Sequence, residues 1–269
     1  MMQIFGYFAT FVMGTSFGLI GAGGSILMVP ILFYLFRQNA MEATTNSLFV
    51  VGVTALIGAW VKAKSGEIDL KIGFFFAMPS FAGIFFARQW ILSSLPNSLV
   101  HVFGITFTKS VFVMTAFAIV MLFSAWAMIR SGKAERVKAP SFKTLSTNFW
   151  SIGLKGLIVG VITGLVGAGG GFLIIPALVF LLKFPLSLAI GTSLAIVSVN
   201  SLFGFAISLS SLQTTDFPFL FGVSILGIGG MFLGQMLSAK IQERYLKTGF
   251  GYFVLTVASL ILLDQGSRL

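Results

Sequence analysis

Apolar residues run along this chain in eight long stretches with polar punctuation between them, at about 4 to 36, 43 to 61, 72 to 91, 99 to 129, 150 to 183, 187 to 210, 217 to 239 and 246 to 263. A hydrocarbon core of about 30 Å takes roughly 20 residues of helix to cross, so stretches of this length predict membrane helices. The first and fifth exceed thirty residues, about 50 Å of continuous helix at 1.5 Å per residue, and each contains a cluster of glycines. Both are expected to be broken, which raises the count from eight segments to as many as ten helices. Between the fourth and fifth stretches lies RSGKAERVKAPSFKTLSTN, the one long polar segment. It divides the chain into a first membrane unit at 1–129, a basic linker at 130–149 and a second unit at 150–269. The opening MMQIFGYFATFVMG lacks the basic residues that precede the apolar run of a cleaved signal, and reads as the first membrane helix.

The two units match each other. Laying VMGTSFGLIGAGGSILMVP (12 to 30) over IVGVITGLVGAGGGFLIIP (158 to 176) gives nine identical positions in nineteen. The same offset of 146, without a gap, pairs Ala43, Ser47, Leu48, Val51, Val53, Leu56 and Gly58 with Ala189, Ser193, Leu194, Val197, Val199, Leu202 and Gly204. It also pairs Gly83, Phe86 and Gln89 with Gly229, Phe232 and Gln235. One ungapped register that holds glycines, a proline and polar residues together marks an internal repeat.

Composition agrees with the pattern. Hydrophobic residues make up 57% of the chain and charged ones 9%, with a mean hydropathy of +1.02; a soluble domain carries roughly 25% charged residues to hydrate its surface. The expected fold is an all-α integral membrane protein of two homologous repeats. The net charge of +10 comes from basic residues scattered between apolar segments or gathered in the linker, with no aromatic and basic platform. Membrane lipid, and not nucleic acid, is the partner this implies, and the charges read as orientation signals. With the linker placed in the cytoplasm and each broken helix crossing once, 10 Lys and Arg fall inside and 7 outside. If each broken helix instead enters and turns back, the halves are inverted and the count becomes 13 inside against Arg37, Arg88, Lys109 and Arg268 outside. The inverted arrangement, with both termini outside, obeys the positive-inside rule better.

The glycine clusters carry the candidate chemistry. Gly21, Ala22, Gly23 and Gly24 in one half, and Gly167, Ala168, Gly169, Gly170 and Gly171 in the other, break apolar helices at membrane depth. Unwound backbone is tolerated there only inside protein or beside a water-filled cavity. A second half-helix is expected to begin near Ser25 and near Gly171, its free N–H groups and positive dipole end suiting an anion. Two such ends meeting near a pseudo-twofold axis would resemble the discontinuous-helix sites of secondary transporters. Close helix packing is the competing role for glycines, and is the first expectation for Gly14 with Gly18 and Gly160 with Gly164. Neither cluster fits a dinucleotide fingerprint or a phosphate loop: Ile26 stands where a third fingerprint glycine belongs, and no Gly-Lys-Ser/Thr follows.

The segment after each cluster opens with polar residues: Thr44, Thr45, Asn46 and Ser47 in one half, Thr192, Ser193, Ser198, Asn200 and Ser201 in the other. Their hydroxyl and amide groups can replace water around an oxyanion, although Ser and Thr also bond to their own helices. Asn46 and Asn200 are costlier to bury and are the leading side-chain candidates, with Ser47, Thr192 and Ser193 beside them. Gln89 and Gln235 are possible accessory groups or interhelix hydrogen-bonding residues. Arg88 and Lys109, near the outer ends of their helices, are expected to snorkel to the interface; lining the cavity, either would draw an anion in.

What is missing narrows the chemistry. Glu42, Glu67, Asp69, Glu135, Asp216, Glu243 and Asp264 all fall at helix ends or in loops. A mid-membrane carboxylate, the usual mark of a proton or sodium pump, is not expected. With no Cys, a single His101 and no paired carboxylates, no enzyme, metal site or cofactor is expected.

At its paired glycine motifs the chain strongly resembles the TauE/SafE family, described as sulfite exporters. The matching residues are GLIGAGGSILMVPIL (18 to 32) and GLVGAGGGFLIIPALVF (164 to 180), each followed by an AxxxSL stretch at Ala43 to Leu48 and Ala189 to Leu194. The resemblance covers nearly the whole chain. It implies transport of sulfite, or of sulfonates such as sulfoacetate, across a bacterial inner membrane. Ser25 stands where the second half has Gly171, which makes the two half-sites unequal. The expected function is therefore a secondary transporter, an exporter of a sulfur-containing anion working by alternating access. Import of an organic anion and passive anion conduction are the alternatives, and a homodimer stays open as the assembly.

Overall fold

A computed structural model describes residues 2–95, 98–102, 105–133, 149–167, 169–176, 178–179, 184, 186–209, 216–238 and 243–267. Most of the linker and Ala168 lie outside the described residues. The body is helical. In chain order it comprises α1 (Met2–Ile20), a short broken helix α2 (Ala22–Leu35), α3 (Ala40–Lys64), α4 (Leu70–Leu92), α5 (Lys109–Lys133), α6 (Phe149–Val166), α7 (Gly171–Pro176), α8 (Leu186–Leu209), α9 (Phe217–Ser238) and α10 (Glu243–Ser267). Among the described residues, seven helices are long and apolar enough to cross a membrane, while Ala22–Leu35 and Trp150–Val166 are shorter apolar helices. Large side chains such as Trp60, Trp90, Phe123, Trp150, Ile225 and Leu263 are exposed; in a membrane protein their solvent is lipid.

The apolar stretch expected at 99 to 129 begins instead with an antiparallel hairpin, β1 (Ser98–Val102) and β2 (Ile105–Thr108), in which His101 pairs with Thr106. The β-branched Val100, Val102, Ile105, Thr106 and Thr108 suit strands, and the helical run starts at Lys109.

Helix ends follow local chemistry. Asn39 caps α3, its Oδ1 accepting from Glu42 N at 2.8 Å while Glu42 Oε2 accepts from Asn39 N at 3.2 Å, a reciprocal box that satisfies two otherwise orphan donors. Asp69 caps α4 by accepting from Ile72 N at 3.0 Å, and Asp216 serves α9 by accepting from Phe219 N at 3.0 Å. The last part of α4, Phe86–Leu92, widens into a π-helix.

Glycines set how closely the helices approach. α1 lies along α9 with Gly14 against the Gly227 carbonyl and Gly18 against that of Met231; α6 lies along α4 with Gly160 against the Ser80 carbonyl and Gly164 against Ile84. Residue numbers rise together in both pairs, so each pair is parallel. Gly14, Gly18, Gly160 and Gly164 thus have the packing role expected of small residues at membrane-helix crossings. α3 and α8 cross in the opposite sense, Gly52 meeting Leu202 and Gly58 meeting Leu194.

These contacts correspond between the halves. Gly14 on Gly227 matches Gly160 on Ser80, Gly18 on Met231 matches Gly164 on Ile84, and Gly230 on the Phe11 carbonyl matches Gly83 on that of Leu157. Residues of α1 and α6 are related by the offset of 146, but those of α4 and α9 by 147. The added residue lies between α8 and α9. In the packed structure Gly83 therefore corresponds to Gly230, and Arg88, not Gln89, to Gln235.

Candidate functional site

Two helix breaks meet in the interior. The first opens at Gly21 (φ 78°), a left-handed conformation that disfavours any side chain. The chain resumes as tight 3-10 turns at Ala22–Leu27, three residues earlier than the expected start at Ser25. Continuous winding from Ala22 buries Ala22, Gly23, Gly24 and Ser25 together. The second break spans Gly167 to Gly170, with φ of 72°, 69° and 71° at Gly167, Gly169 and Gly170, and α7 starts at Gly171 as expected. A Cβ on Gly171 would overlap Ala22 of the other half, so the two half-helix starts do touch. This contact explains why the second half cannot carry a serine where the first has Ser25.

α3 and α8 hold the breaks in place. Thr44 packs on Gly167, and Ser47 Oγ donates to the Gly167 carbonyl and to the Thr44 carbonyl. In the matching place of the other half, Ile190 packs on Gly21 and Ser193 Oγ donates to the Ile190 carbonyl at 2.8 Å. Gly169 sits against Ser201, Val51 and Val197, and Gly170 against Thr163.

The leading asparagines have different surroundings. Asn200 is fully buried on α8; its Nδ2 donates to Ser80 Oγ of α4 at 2.7 Å, and its Oδ1 has no partner among the described residues. Thr54 of α3, at the offset of 146 from Asn200, is likewise buried with an unpartnered hydroxyl. Asn46 lies two turns from the start of α3, donating to Gln38 Oε1 at 3.1 Å. Thr192 is drawn away to a structural contact, its Oγ1 accepting from Asp69 N at 2.9 Å at the mouth of the α3–α4 turn. Asn46 and Thr192 therefore stand near opposite ends of the bundle, and the fold does not bring them together.

Arg88 does not snorkel. Its side chain is only 6% exposed. Nε donates to the Gly164 carbonyl at 2.9 Å, Nη1 to Thr45 Oγ1 and Ser208 Oγ, each at 2.9 Å, and Nη2 to the Thr44 carbonyl at 3.3 Å. All four acceptors are neutral, and no carboxylate pairs with it among the described residues. Arg88 continues the buried face of α4 formed by Ser80, Gly83, Ile84 and Ala87, and Gln89 is exposed on the outer face, so Gln89 is not turned toward the breaks. Gln235 is half-buried beside Gly18, and Lys109 is half-buried at the start of α5. Sequence reasoning passed over Thr54, Ser80, Thr163 and Ser208 because single hydroxyls in apolar helices look like self-bonded ones. Thr54 alone carried a signal, its repeat relation to Asn200.

Among the described residues, the interior is thus a set of neutral donors and acceptors around two unwound segments, with the buried guanidinium of Arg88 and no buried carboxylate. A family model described as sulfite exporter TauE/SafE matches residues 7–261. The chain belongs to the TauE/SafE family. Its curated relatives carry transporter names. A probable membrane transporter protein of Xylella fastidiosa (strain Temecula1) is 28% identical over 258 residues, covering 93% of this chain and 90% of its own. Probable membrane transporter protein YdhB of Bacillus subtilis is 26% identical, covering 94% and 97%, and MJ0441 of Methanocaldococcus jannaschii is 25% identical, covering 88% and 86%. No solved structure matches the chain. As a TauE/SafE protein with seven spanning-length helices, the chain is a multi-pass membrane transporter.

Proposed function

We propose that this TauE/SafE protein exports a sulfur-containing anion, sulfite or an organosulfonate, across the bacterial inner membrane by alternating access. The observation that carries the reading is the pair of touching glycine breaks with buried polar atoms at them that have no partner among the described residues: Ser25 Oγ at the first, Thr163 Oγ1 and Ser201 Oγ at the second. A buried polar group left unpaired costs about 1–3 kcal/mol, and a cluster of them at interior helix breaks is retained where a ligand satisfies them. Hydroxyl and backbone N–H donors suit an oxyanion. The family's description as sulfite exporters supports the sulfur oxyanion in particular.

Packing supports inverted halves. α1 is parallel to α9 and α4 to α6, α3 is antiparallel to α8, and short connections join α3 to α4 and α8 to α9. Under that arrangement α1 and α3 run one way while their counterparts α6 and α8 run the other, and the excess of Lys and Arg falls on the linker side. Rocking of one half against the other would expose the breaks alternately to each face.

The test is counterflow in proteoliposomes. Vesicles loaded with unlabelled sulfite should accumulate labelled sulfite transiently, whereas sulfate-loaded and empty vesicles should not. Uptake that is linear and indifferent to the internal anion would refute carrier-type exchange.

A further inference from the structure

The two breaks are unequal in a way that locates the ligand. We infer that the anion is held at the second break, by Thr163, Ser201 and Arg88, and not symmetrically between the two; this rests on the anion-transport reading above. At the second break Gly170 sits against the Thr163 hydroxyl and Gly169 against the Ser201 hydroxyl. Both side chains are buried, at 1% and 0% exposure, and neither oxygen has a partner among the described residues. The residues occupying the matching places at the first break are Phe17, against Gly24, and Ala55. Neither offers a hydrogen-bonding side chain.

The charge follows the same asymmetry. Arg88 grips the Gly164 carbonyl, next in sequence to Thr163, and the carbonyl of Thr44, the residue packed on Gly167. Its packing counterpart at the first break is the neutral Gln235, beside Gly18. A guanidinium has five N–H donors, and four are accounted for by protein acceptors. One donor on Nη2 remains, together with a full positive charge that no carboxylate among the described residues neutralises. A buried charge without a counter-charge is costly, and an anion at this break removes that cost. Two hydroxyls and one N–H match the three oxygens of an –SO3 group, the part shared by sulfite and sulfonates.

Isothermal titration of the detergent-purified full chain with sulfite and with methanesulfonate tests this, and comparing the two shows whether the free oxyanion or the sulfonate head is preferred. Thr163→Val and Ser201→Ala should each weaken binding about five-fold, the loss of one hydrogen bond, and Arg88→Gln about thirty-fold, the loss of a charged one. Arg88→Lys should recover part of that. Ser224→Ala, which deletes a buried hydroxyl of α9 bonded within its own helix, should bind as wild type. Unchanged affinity in both Thr163→Val and Ser201→Ala would overturn the inference even if Arg88→Gln fails to fold, while leaving the transport reading intact. A wild-type chain that binds neither anion overturns both.

Discussion

Gly23 and Gly169 are related by the offset of 146 and stand at the same place in the same motif, yet a single methyl group should affect them oppositely. Gly169 has φ of 69°, and a Cβ there would come within 2.5 Å of Ser201 Oγ, 2.7 Å of Val51 Cγ1 and 3.3 Å of Val197 Cγ1. Holding alanine in the left-handed region costs about 1–2 kcal/mol. Overpacking against α3 and α8 adds about 1–3 kcal/mol, so Gly169→Ala should destabilise by roughly 2–5 kcal/mol in total. Gly23 has no left-handed φ, and the nearest atom to its Cβ position is Ile20 Cγ2 at 3.5 Å, ordinary contact. Gly23→Ala should be neutral, or stabilising by about 0.4–1 kcal/mol through a less flexible unfolded chain. Equilibrium unfolding in mixed micelles of the two variants side by side measures the difference. Adding Ser201→Gly should restore part of the loss in Gly169→Ala, because it removes the nearest obstruction. Equal losses in the two single variants, or a larger one in Gly23→Ala, would refute the unequal packing of the breaks.

Three further outcomes are expected. A double-mutant cycle of Asn200→Leu and Ser80→Ala should give a coupling of about 0.5–1.5 kcal/mol, as befits the 2.7 Å hydrogen bond between buried partners; additive effects would mean that the bond contributes nothing. Glu67→Gln, which removes the partner of Lys62 at 2.6 Å where both side chains are about a third exposed, should cost less than about 1 kcal/mol and lose even that effect in high salt, as measured by thermal unfolding. The chain has no Cys, so single cysteines report cleanly on sidedness: Gln3→Cys and Ser267→Cys should react with an impermeant maleimide from one face of the membrane and Ser65→Cys from the other, and labelling of all three from one face would contradict the inverted arrangement.

Much of the architecture was legible in the chain because the membrane imposes its own periodicity: spanning lengths and a glycine break in each overlong stretch depend on local composition. The site was legible only in outline. Sequence could place Gly21 to Ser25 and Gly167 to Gly171 at breaks, since few other contexts retain so many glycines in apolar helix. It could not tell that Thr192 serves a turn at Asp69, because that contact joins residues 123 apart in the chain. Arg88 was misread for a related reason. Its nearness to the helix end suggested snorkelling, but its acceptors on α3, α6 and α8 lie 43 to 120 residues away in the chain, and nothing local in FARQWIL marks them. The ungapped register failed for the same helix pair, where one residue added in the α8–α9 connection moves the packing equivalence from Gln89 to Arg88 without disturbing the apolar pattern.

That single shift changes the electrostatics of the proposed transport cycle. With Arg88 at the second break and Gln235 at the first, the empty site carries one positive charge, and a site holding a monovalent anion carries none. The inside-negative potential exerts about 2.3 kcal/mol per charge per 100 mV across the full membrane. It therefore acts on the empty carrier and leaves the loaded one almost unaffected. A positively charged empty site is drawn to face the cytoplasm, where it meets its anion; the neutral loaded form then crosses outward without working against the field. The net movement is one negative charge out per cycle, so the potential by itself favours export without requiring a coupling ion. Were the guanidinium absent and the site neutral when empty, the same net work would fall on the loaded step. Placing the charge on the protein thus shifts the voltage dependence from the step that carries the anion to the step that resets the carrier.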